Sequence, residues 1–182
     1  MNLTAGGDGV SRLVGSSATL AGMTGEKTAM TAEQRVKDLG LVLPPAPKPA
    51  GNYVPARIAG NLLFLSGVGP RGDDGSYMTG KVGAGVSTEQ AYQAARLCGM
   101  SLLANMRAAL GSLDRVDTVL KVLGMVNATP DFEDHPKVIN GCTDLFAEIF
   151  GANGVPARSA VGMGSLPFNM SVEVEAIVLL KG

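Results

Sequence analysis

Apolar residues recur at helical spacing in two long segments of the chain. The first runs from Ala91 to Leu110 and carries mostly small apolar residues, with Gly111 directly after it. The second spans roughly residues 136–150 and is followed by Gly151. Small residues allow a helix to lie close against a sheet, so we expect the first segment to pack tightly on one.

Start and stop signals mark the helix ends. Ser87 with Gln90 forms a capping-box pattern before the first long helix, and Thr31 with Gln34 forms a second one. Gly40 stands where a left-handed C-cap would close a short helix that begins after Thr31. The chain is therefore predicted to contain two long helices and one short one.

Five segments have the composition and spacing of strands: 53–58, 62–65, 116–126, 159–163 and 172–179. Ala59-Gly60-Asn61 joins the first two as a hairpin-like turn, and the glycine-rich residues 67–85 are predicted to be a loop. The resulting order is β-β-α-β-α-β-β. It predicts an α+β protein in which one mixed sheet carries two helices on one face.

The 182 residues suit one domain with an N-terminal addition. Residues 1–30 are rich in Gly, Ser, Thr and Ala, and we expect them to form a disordered tail. Residues 31–51 combine the short helix with a proline-rich extension, because four prolines between 44 and 49 favour extended geometry. The compact domain is expected at 52–182.

Charge and hydropathy narrow the possible partners. Charged residues make up 17% of the chain, below the roughly 25% of an average soluble domain, which suggests that some surface faces another subunit. The net charge of -1 provides no basic field for nucleic acid. No apolar run approaches the roughly 20 residues needed to cross a bilayer, so we expect a cytoplasmic protein without membrane contact.

Several motifs suggest chemistry that their context does not support. Residues 67–72, G-V-G-P-R-G, match a dinucleotide-binding fingerprint, but no helix is predicted to open at this loop. His135 is the only histidine and is expected in a loop near a helix start, which leaves no histidine pair and no metal-ligand cluster. Ser66 lacks a nucleophile elbow, and Cys98 and Cys142 are expected to be free buried thiols.

Arg158 is the most unusual charged residue, because it begins a predicted strand among small and apolar neighbours. It could form a surface salt bridge, or its guanidinium could bind a carboxylate through two parallel hydrogen bonds. Glu173 and Glu175 alternate with apolar residues in the last strand, where they could simply form a solvated polar face. The residues alone leave these alternatives open.

Three stretches of sequence resemble the RidA/YjgF family of reactive-intermediate deaminases. V-P-A-R-S-A-V at 155–161, L-P at 166–167 and V-E-V-E-A-I at 172–177 resemble its C-terminal signature. Tyr53 followed by G-N-L-L-F-L-S-G at 60–67 resembles its N-terminal hairpin, and Asn140 matches the asparagine of its second helix. The similarity covers residues 53–182, and residues 31–51 resemble the N-terminal extension of a less-studied branch.

The resemblance implies a chorismate-mutase-like (YjgF/L-PSP) fold and a homotrimer with ligand clefts between subunits. In the deaminase members, the arginine matching Arg158 holds the carboxylate of a 2-imino or enamine acid, and the glutamate matching Glu173 orients the attacking water. No metal or organic cofactor is implied. The expected catalytic residues are thus Arg158 and Glu173, and the expected substrate-binding residues are Tyr53, Ser66, Gly67, Asn140 and Ala160.

Two positions of this sequence depart from the family pattern. Ala160 stands where many members carry cysteine, and Val68 where glutamine often follows the strand glycine, so the pocket should differ in size and polarity.

Three functions follow as hypotheses. The leading hypothesis is hydrolysis of 2-imino or enamine acids to 2-keto acids and ammonia. The alternative is a non-catalytic carboxylate-binding or regulatory trimer; an endoribonuclease is poorly supported by 4% aromatic residues and one histidine.

Overall fold

A computed structural model describes residues 30–46, 49 and 51–182 of the protein. Apart from Met30, the expected tail 1–30 lies outside the described residues. The helices are α1 (Ala32–Asp38), α2 (Thr88–Leu110) and α3 (His135–Phe150). The strands are β1 (Ala56–Ala59), β2 (Leu62–Val68), β3 (Lys81–Val82), β4 (Gly85–Val86), β5 (Val116–Asn127), β6 (Ala157–Met163) and β7 (Val172–Leu180).

Five strands form one mixed sheet in the order β1-β2-β7-β5-β6, with β6 at one edge. The pairing of β5 with β6 is parallel, and the other pairings in this sheet are antiparallel. A parallel connection needs a crossover, which α3 provides between β5 and β6. The predicted α+β architecture is confirmed, with the short parallel pair β3-β4 as an addition.

The sheet has one face covered by helices and one open face. Along β7 the residues Val172, Val174, Ala176 and Val178 are buried, whereas the residues between them are only partly buried or exposed. Period-two alternation of this kind is expected when one sheet face packs on the core. Helices α2 and α3 pack against each other and cover one face of the sheet, and the core lies between these helices and that face. We call the other side the open face.

The caps that set the long helix are those predicted from the sequence. Ser87 and Gln90 exchange hydrogen bonds as a complete capping box, and Gly111 adopts a left-handed conformation at the C-terminus with φ 82°. Gly99 lies where α2 meets α3, and a Cβ there would be 3.3 Å from the Cys142 sulfur. The small residues of α2 therefore bring the two helices into close contact.

The short helix α1 is tied to the domain by polar contacts. Thr31 accepts a hydrogen bond from the Gln34 amide, as predicted, but the Gln34 side chain binds Asp38 and so the capping box is only half formed. Glu33 forms an ion pair with Arg107 of α2 at 2.6 Å and accepts a hydrogen bond from the Leu113 amide. These contacts dock α1 beside the C-terminal end of α2.

Several predicted boundaries were wrong. The first strand begins at Ala56 rather than at residue 53, which leaves Tyr53 in the segment before the sheet. The predicted loop 67–85 contains the end of β2 and the pair β3-β4. His135 is the first residue of α3 rather than a loop residue, and β6 begins at Ala157, so Arg158 lies inside the strand.

Two further expectations concern the thiols and the membrane. Cys98 and Cys142 are free and buried, as predicted. Burial raises the pKa of both thiols, so they stay protonated at neutral pH and serve as packing groups. Within the part of the chain that the structure describes, no helix has the length and apolar character to cross a bilayer.

Candidate functional site

A cavity of about 540 Å³ lies beside the C-terminal end of β2 and the N-terminal end of β7. It holds four of the residues that the sequence analysis singled out. These are Tyr53, Ser66, Gly67 and Glu173. Polar walls are added by Arg71, Tyr77, Ser101, Asn105 and Glu175, which had not been predicted as site residues.

Glu173 projects from the open face of β7 into this cavity. Its carboxylate lies directly over the backbone of Gly67, where a Cβ atom would collide with Oε1 of Glu173. Glycine at this position lets the carboxylate lie against the backbone, and a larger residue would displace the Glu173 side chain. Burial raises the pKa of Glu173, and the negative charge of Glu175 raises this pKa further.

The strand beside Glu173 is shaped by a bulge. The pairing of β2 with β7 changes register between Leu65 and Val68, the interval that contains Ser66 and Gly67. The Ser66 hydroxyl donates a hydrogen bond to the carbonyl oxygen of Val54 at 2.8 Å. This bond fixes the segment next to Tyr53 against β2 and so positions one wall of the cavity.

A second wall is formed by an aromatic pair. Phe168 and Asn169 both have left-handed backbone conformations with φ 55°, which are uncommon for residues with side chains. The Phe168 ring stacks on Tyr77, with ring centroids 5.9 Å apart and planes inclined by 8°. Neither aromatic residue shows a sequence pattern that would have placed it at the site.

Arg158 is held at the other end of the sheet, where β6 forms the edge. Its Nη1 donates to Asn140 Oδ1 at 2.7 Å and to Thr143 Oγ1 at 3.1 Å, both on α3. Thr143 was not predicted, although it follows Asn140 by three residues and so shares its helix face. Asn140 was predicted to bind substrate; in the structure it contacts Arg158 and orients the guanidinium.

The Arg158 side chain forms no ion pair with the carboxylates of the described residues. The neutral acceptors Asn140 and Thr143 bind Nη1, and no described residue accepts a hydrogen bond from Nη2 or Nε. A partly buried guanidinium fixed by neutral groups keeps its full positive charge, and the three N–H donors on Nη2 and Nε are left for an anion. The surface salt bridge considered for this arginine is absent from the described residues.

Ala160 lies on the same side of β6 as Arg158. It pairs with Gly124 of β5, and a Cβ at Gly124 would collide with the side chain of Ile139 in α3. Ala160 is therefore on the helix-covered face, close to the core. The residue is partly buried and can contribute shape to the Arg158 region but no polar group.

Arg158 and Glu173 lie on opposite faces of the sheet. Arg158 pairs with the buried Val122 and contacts α3, which places it on the helix-covered face. Glu173 pairs with Met125, the residue after Gly124, and therefore faces the open side. One chain thus carries two half-sites, Arg158 with Asn140 and Thr143, and Glu173 with the cavity.

The potential metal ligands among the described residues do not cluster. The described residues contain no group of three or more histidine, cysteine, aspartate or glutamate side chains that could hold a metal ion. His135 instead packs edge-on against Phe132, with ring centroids 5.1 Å apart. Residues 69–80 open no helix, so the fingerprint at 67–72 lacks the helix N-terminus that a pyrophosphate would need.

A family model and two relatives match this chain over most of its length. The model of a family described as "YjgF/chorismate_mutase-like, putative endoribonuclease" matches residues 33–179. Protein TCP17 of Trypanosoma cruzi is 44% identical over 144 residues, which are 79% of this chain and 90% of that protein. A 2-iminobutanoate/2-iminopropanoate deaminase of Dermatophagoides farinae is 31% identical over 140 residues, 76% of this chain and 93% of the deaminase.

A solved structure extends the comparison to three dimensions. The crystal structure of a protein of unknown function from Agrobacterium tumefaciens matches with a TM-score of 0.75 and 45% sequence identity. The match covers 82% of this chain and 92% of that one. Sequence and fold therefore agree over the region that carries both half-sites.

Proposed function

The chain belongs to the YjgF/chorismate mutase-like family, and we propose that it hydrolyses 2-imino or enamine acids to 2-keto acids and ammonia. The chorismate-mutase-like fold that the resemblance implied is confirmed. The observation that carries the proposed function is the Arg158 guanidinium, held by Asn140 and Thr143 and left without a carboxylate partner among the described residues. Such a group is suited to bind the carboxylate of a small acid.

Hydrolysis of an imine requires mainly that the protein orient the substrate and transfer protons. An imine carbon is already electrophilic, so a water molecule held beside it can attack once the substrate is fixed through its carboxylate. We assign Glu173 as the base that accepts a proton from this water as its oxygen bonds to the imine carbon, and that passes this proton to the nitrogen to give a carbinolamine. The hydroxyl proton of the carbinolamine then reaches the nitrogen, again through Glu173, as the C–N bond breaks, which releases ammonia and leaves the carbonyl group of the 2-keto acid. The raised pKa of Glu173 brings it closer to neutral pH, where a group can both take up and release a proton.

We propose that the two half-sites meet between subunits of a homotrimer. Arg158 lies on the opposite face of the sheet from Glu173 and does not line the Glu173 cavity of its own chain, so a neighbouring chain is needed to bring an Arg158 to that cavity. The open face also exposes Phe64, Val161 and Met163, which is consistent with coverage by another subunit. A small-molecule carboxylate bound in this cleft would touch Arg158 of one subunit and Glu173 of its neighbour.

RNA cleavage, which the description of the family names, fits the site less well. The cavity places the carboxylates of Glu173 and Glu175 against a single guanidinium, Arg71. Two acidic groups repel phosphate, and the chain has no second histidine for an acid/base pair. A small acid brings one carboxylate, which Arg158 of the neighbouring subunit would bind, whereas a polynucleotide brings a phosphate with every nucleotide. We therefore assign the site to a small carboxylate rather than to a polynucleotide.

The test of this function is the hydrolysis of 2-imino acids generated in place by an amino-acid oxidase. We expect the purified protein to accelerate ammonia release and to prevent trapping of the imine by semicarbazide. Substrates with small and bulky side chains should be compared, because Ala160 and Val68 change the pocket relative to the family pattern. Absence of acceleration with every imine would contradict the proposed function.

Removing the Glu175 charge should shift the pH profile. Ionised Glu175 raises the pKa of Glu173, so Glu175→Gln should lower that pKa. A base works only when deprotonated, and kcat/KM should therefore fall at acidic pH with a midpoint at the pKa of Glu173. We expect this midpoint to move to lower pH in Glu175→Gln, whereas an unchanged or higher midpoint would contradict the assignment of Glu173 as the base.

A further inference from the structure

Helix α2 buries a polar side chain that the fold does not use. Asn105 is 2% exposed, and neither Oδ1 nor Nδ2 of its carboxamide has a hydrogen-bond partner among the described residues. Ser101, one helical turn earlier, is 3% exposed. Burial of an unpartnered amide is unfavourable, and such groups are rare in folded proteins. Its presence therefore needs an explanation outside the packing of α2.

Packing alone would favour an apolar residue at position 105. The flanking residues Leu102, Leu103 and Met106 are fully buried. Leucine has the same number of side-chain heavy atoms and the same branching as asparagine. Leucine also has the higher helix propensity, because asparagine competes with the backbone for hydrogen bonds. Neither burial nor helix formation accounts for the carboxamide.

Ser101 and Asn105 line the same cavity as Glu173. Since they are four residues apart on one helix, their side chains lie on the same face, and together they form a polar patch in the cavity wall. The patch lies within a space whose charged walls are Glu173, Glu175 and Arg71. A negatively charged group would meet two carboxylates there and a positively charged group would meet the Arg71 guanidinium, so a neutral ligand group is favoured.

We propose that Ser101 and Asn105 form a specificity subsite for a neutral substrate side chain that both donates and accepts hydrogen bonds, a carboxamide or a hydroxyl. A carboxamide is the complementary partner of a carboxamide, because each offers an N–H donor and a carbonyl acceptor. This inference deepens the proposed function. It rests on Arg158 binding the substrate carboxylate while Glu173 faces the reacting carbon, and it names amide- or hydroxyl-bearing 2-imino acids as the substrate class.

The experiment exchanges polar for apolar groups of similar length on both sides of the contact. Wild type and Asn105→Leu are assayed with imines from asparagine and leucine, and with the longer pair from glutamine and methionine. We expect wild type to favour the carboxamide member of at least one pair. In Asn105→Leu, the kcat/KM for the carboxamide substrate divided by that for its apolar partner should fall by about 10- to 100-fold relative to wild type.

Two further measurements separate the subsite from a general effect on folding. Asn105→Leu removes an unsatisfied buried group, so its Tm should equal or exceed that of wild type. Met106→Leu, a volume-conserving change at the adjacent buried position, should leave the carboxamide-to-apolar ratio unchanged. A lower Tm of Asn105→Leu together with an unchanged ratio would assign Asn105 a structural role and overturn the subsite.

Binding of the corresponding 2-oxo acids, measured by calorimetry, distinguishes failure of the subsite from failure of the proposed function. A carboxamide preference in binding that Asn105→Leu abolishes would support the subsite even if no imine were hydrolysed. Hydrolysis with the same ratio in wild type and Asn105→Leu would overturn the subsite and leave the deaminase intact. Absence of binding of every 2-oxo acid to wild type would also overturn the subsite.

Discussion

Arg158→Ala is expected to lower kcat/KM for 2-imino acid hydrolysis by about 100- to 1,000-fold, which corresponds to about 3–4 kcal/mol. The substitution removes the guanidinium that would bind the substrate carboxylate through charge-assisted hydrogen bonds. It also leaves the side chains of Asn140 and Thr143 without their shared donor. Steady-state kinetics on imines generated in place would measure the effect.

Two companion variants make the result specific to Arg158. Arg158→Lys keeps the positive charge but loses the planar fork, so it should recover only part of the activity. Arg96→Ala removes an arginine whose partner is Glu148 in the helix layer, and it should change kcat/KM by less than about twofold. Equal losses in Arg158→Ala and Arg96→Ala would point to a general loss of structure and contradict the assigned role.

Glu173→Gln should lower kcat by about 100- to 10,000-fold, the usual contribution of a positioned acid/base group. Binding of 2-oxo acids should persist, because the carboxylate of the ligand is held by Arg158. The glutamine keeps the shape of the side chain beside Gly67 but cannot accept and return a proton. Turnover and calorimetric binding should therefore separate in this variant.

Glu173→Gln should not destabilise the protein at neutral pH. Burial raises the pKa of Glu173 in the fold above its unfolded value, so the native state binds more protons and loses stability as pH rises between the two values. Neutral glutamine does not carry this disadvantage. We expect the Tm of Glu173→Gln at pH 7 to equal or exceed that of wild type, and a marked fall in Tm would contradict a catalytic reason for this carboxylate.

A binding-only trimer predicts different results from the same variants. Arg158 with Asn140 and Thr143 would hold a carboxylate without any help from Glu173. In that case wild type would bind 2-oxo acids but hydrolyse no imine, and Glu173→Gln would alter neither property. The separation of turnover from binding in Glu173→Gln therefore distinguishes the enzyme from the binding protein.

Local signals in the sequence were sufficient for most of the fold. The Ser87–Gln90 capping box and the left-handed Gly111 delimit α2 as predicted, and the alternation around Glu173 places it on the strand face away from the core. The predicted element boundaries were wrong where pairing with another strand, rather than local sequence, determines where a strand begins. Tyr53 looked like part of a strand, but pairing with β2 begins only at Ala56.

The candidate site was predictable only where a motif identified it. The resemblance pointed to Arg158 and Glu173, yet no sequence period indicates that they occupy opposite faces of the sheet, because this depends on the pairing register of β5 with β6 and β7. Asn105 was missed since its spacing in α2 matches that of core residues. Its missing hydrogen bonds become visible only once the packing around it is known.

The most direct test of the account mixes two inactive variants. Co-expressed Arg158→Ala and Glu173→Gln chains should form mixed oligomers in which about a quarter of the clefts, by random assortment in a cyclic assembly, combine an intact Arg158 with an intact Glu173. We predict 2-imino acid hydrolysis at about a quarter of the wild-type rate, with each variant alone inactive. A mixture no more active than its separate components would contradict a catalytic cleft built from two subunits.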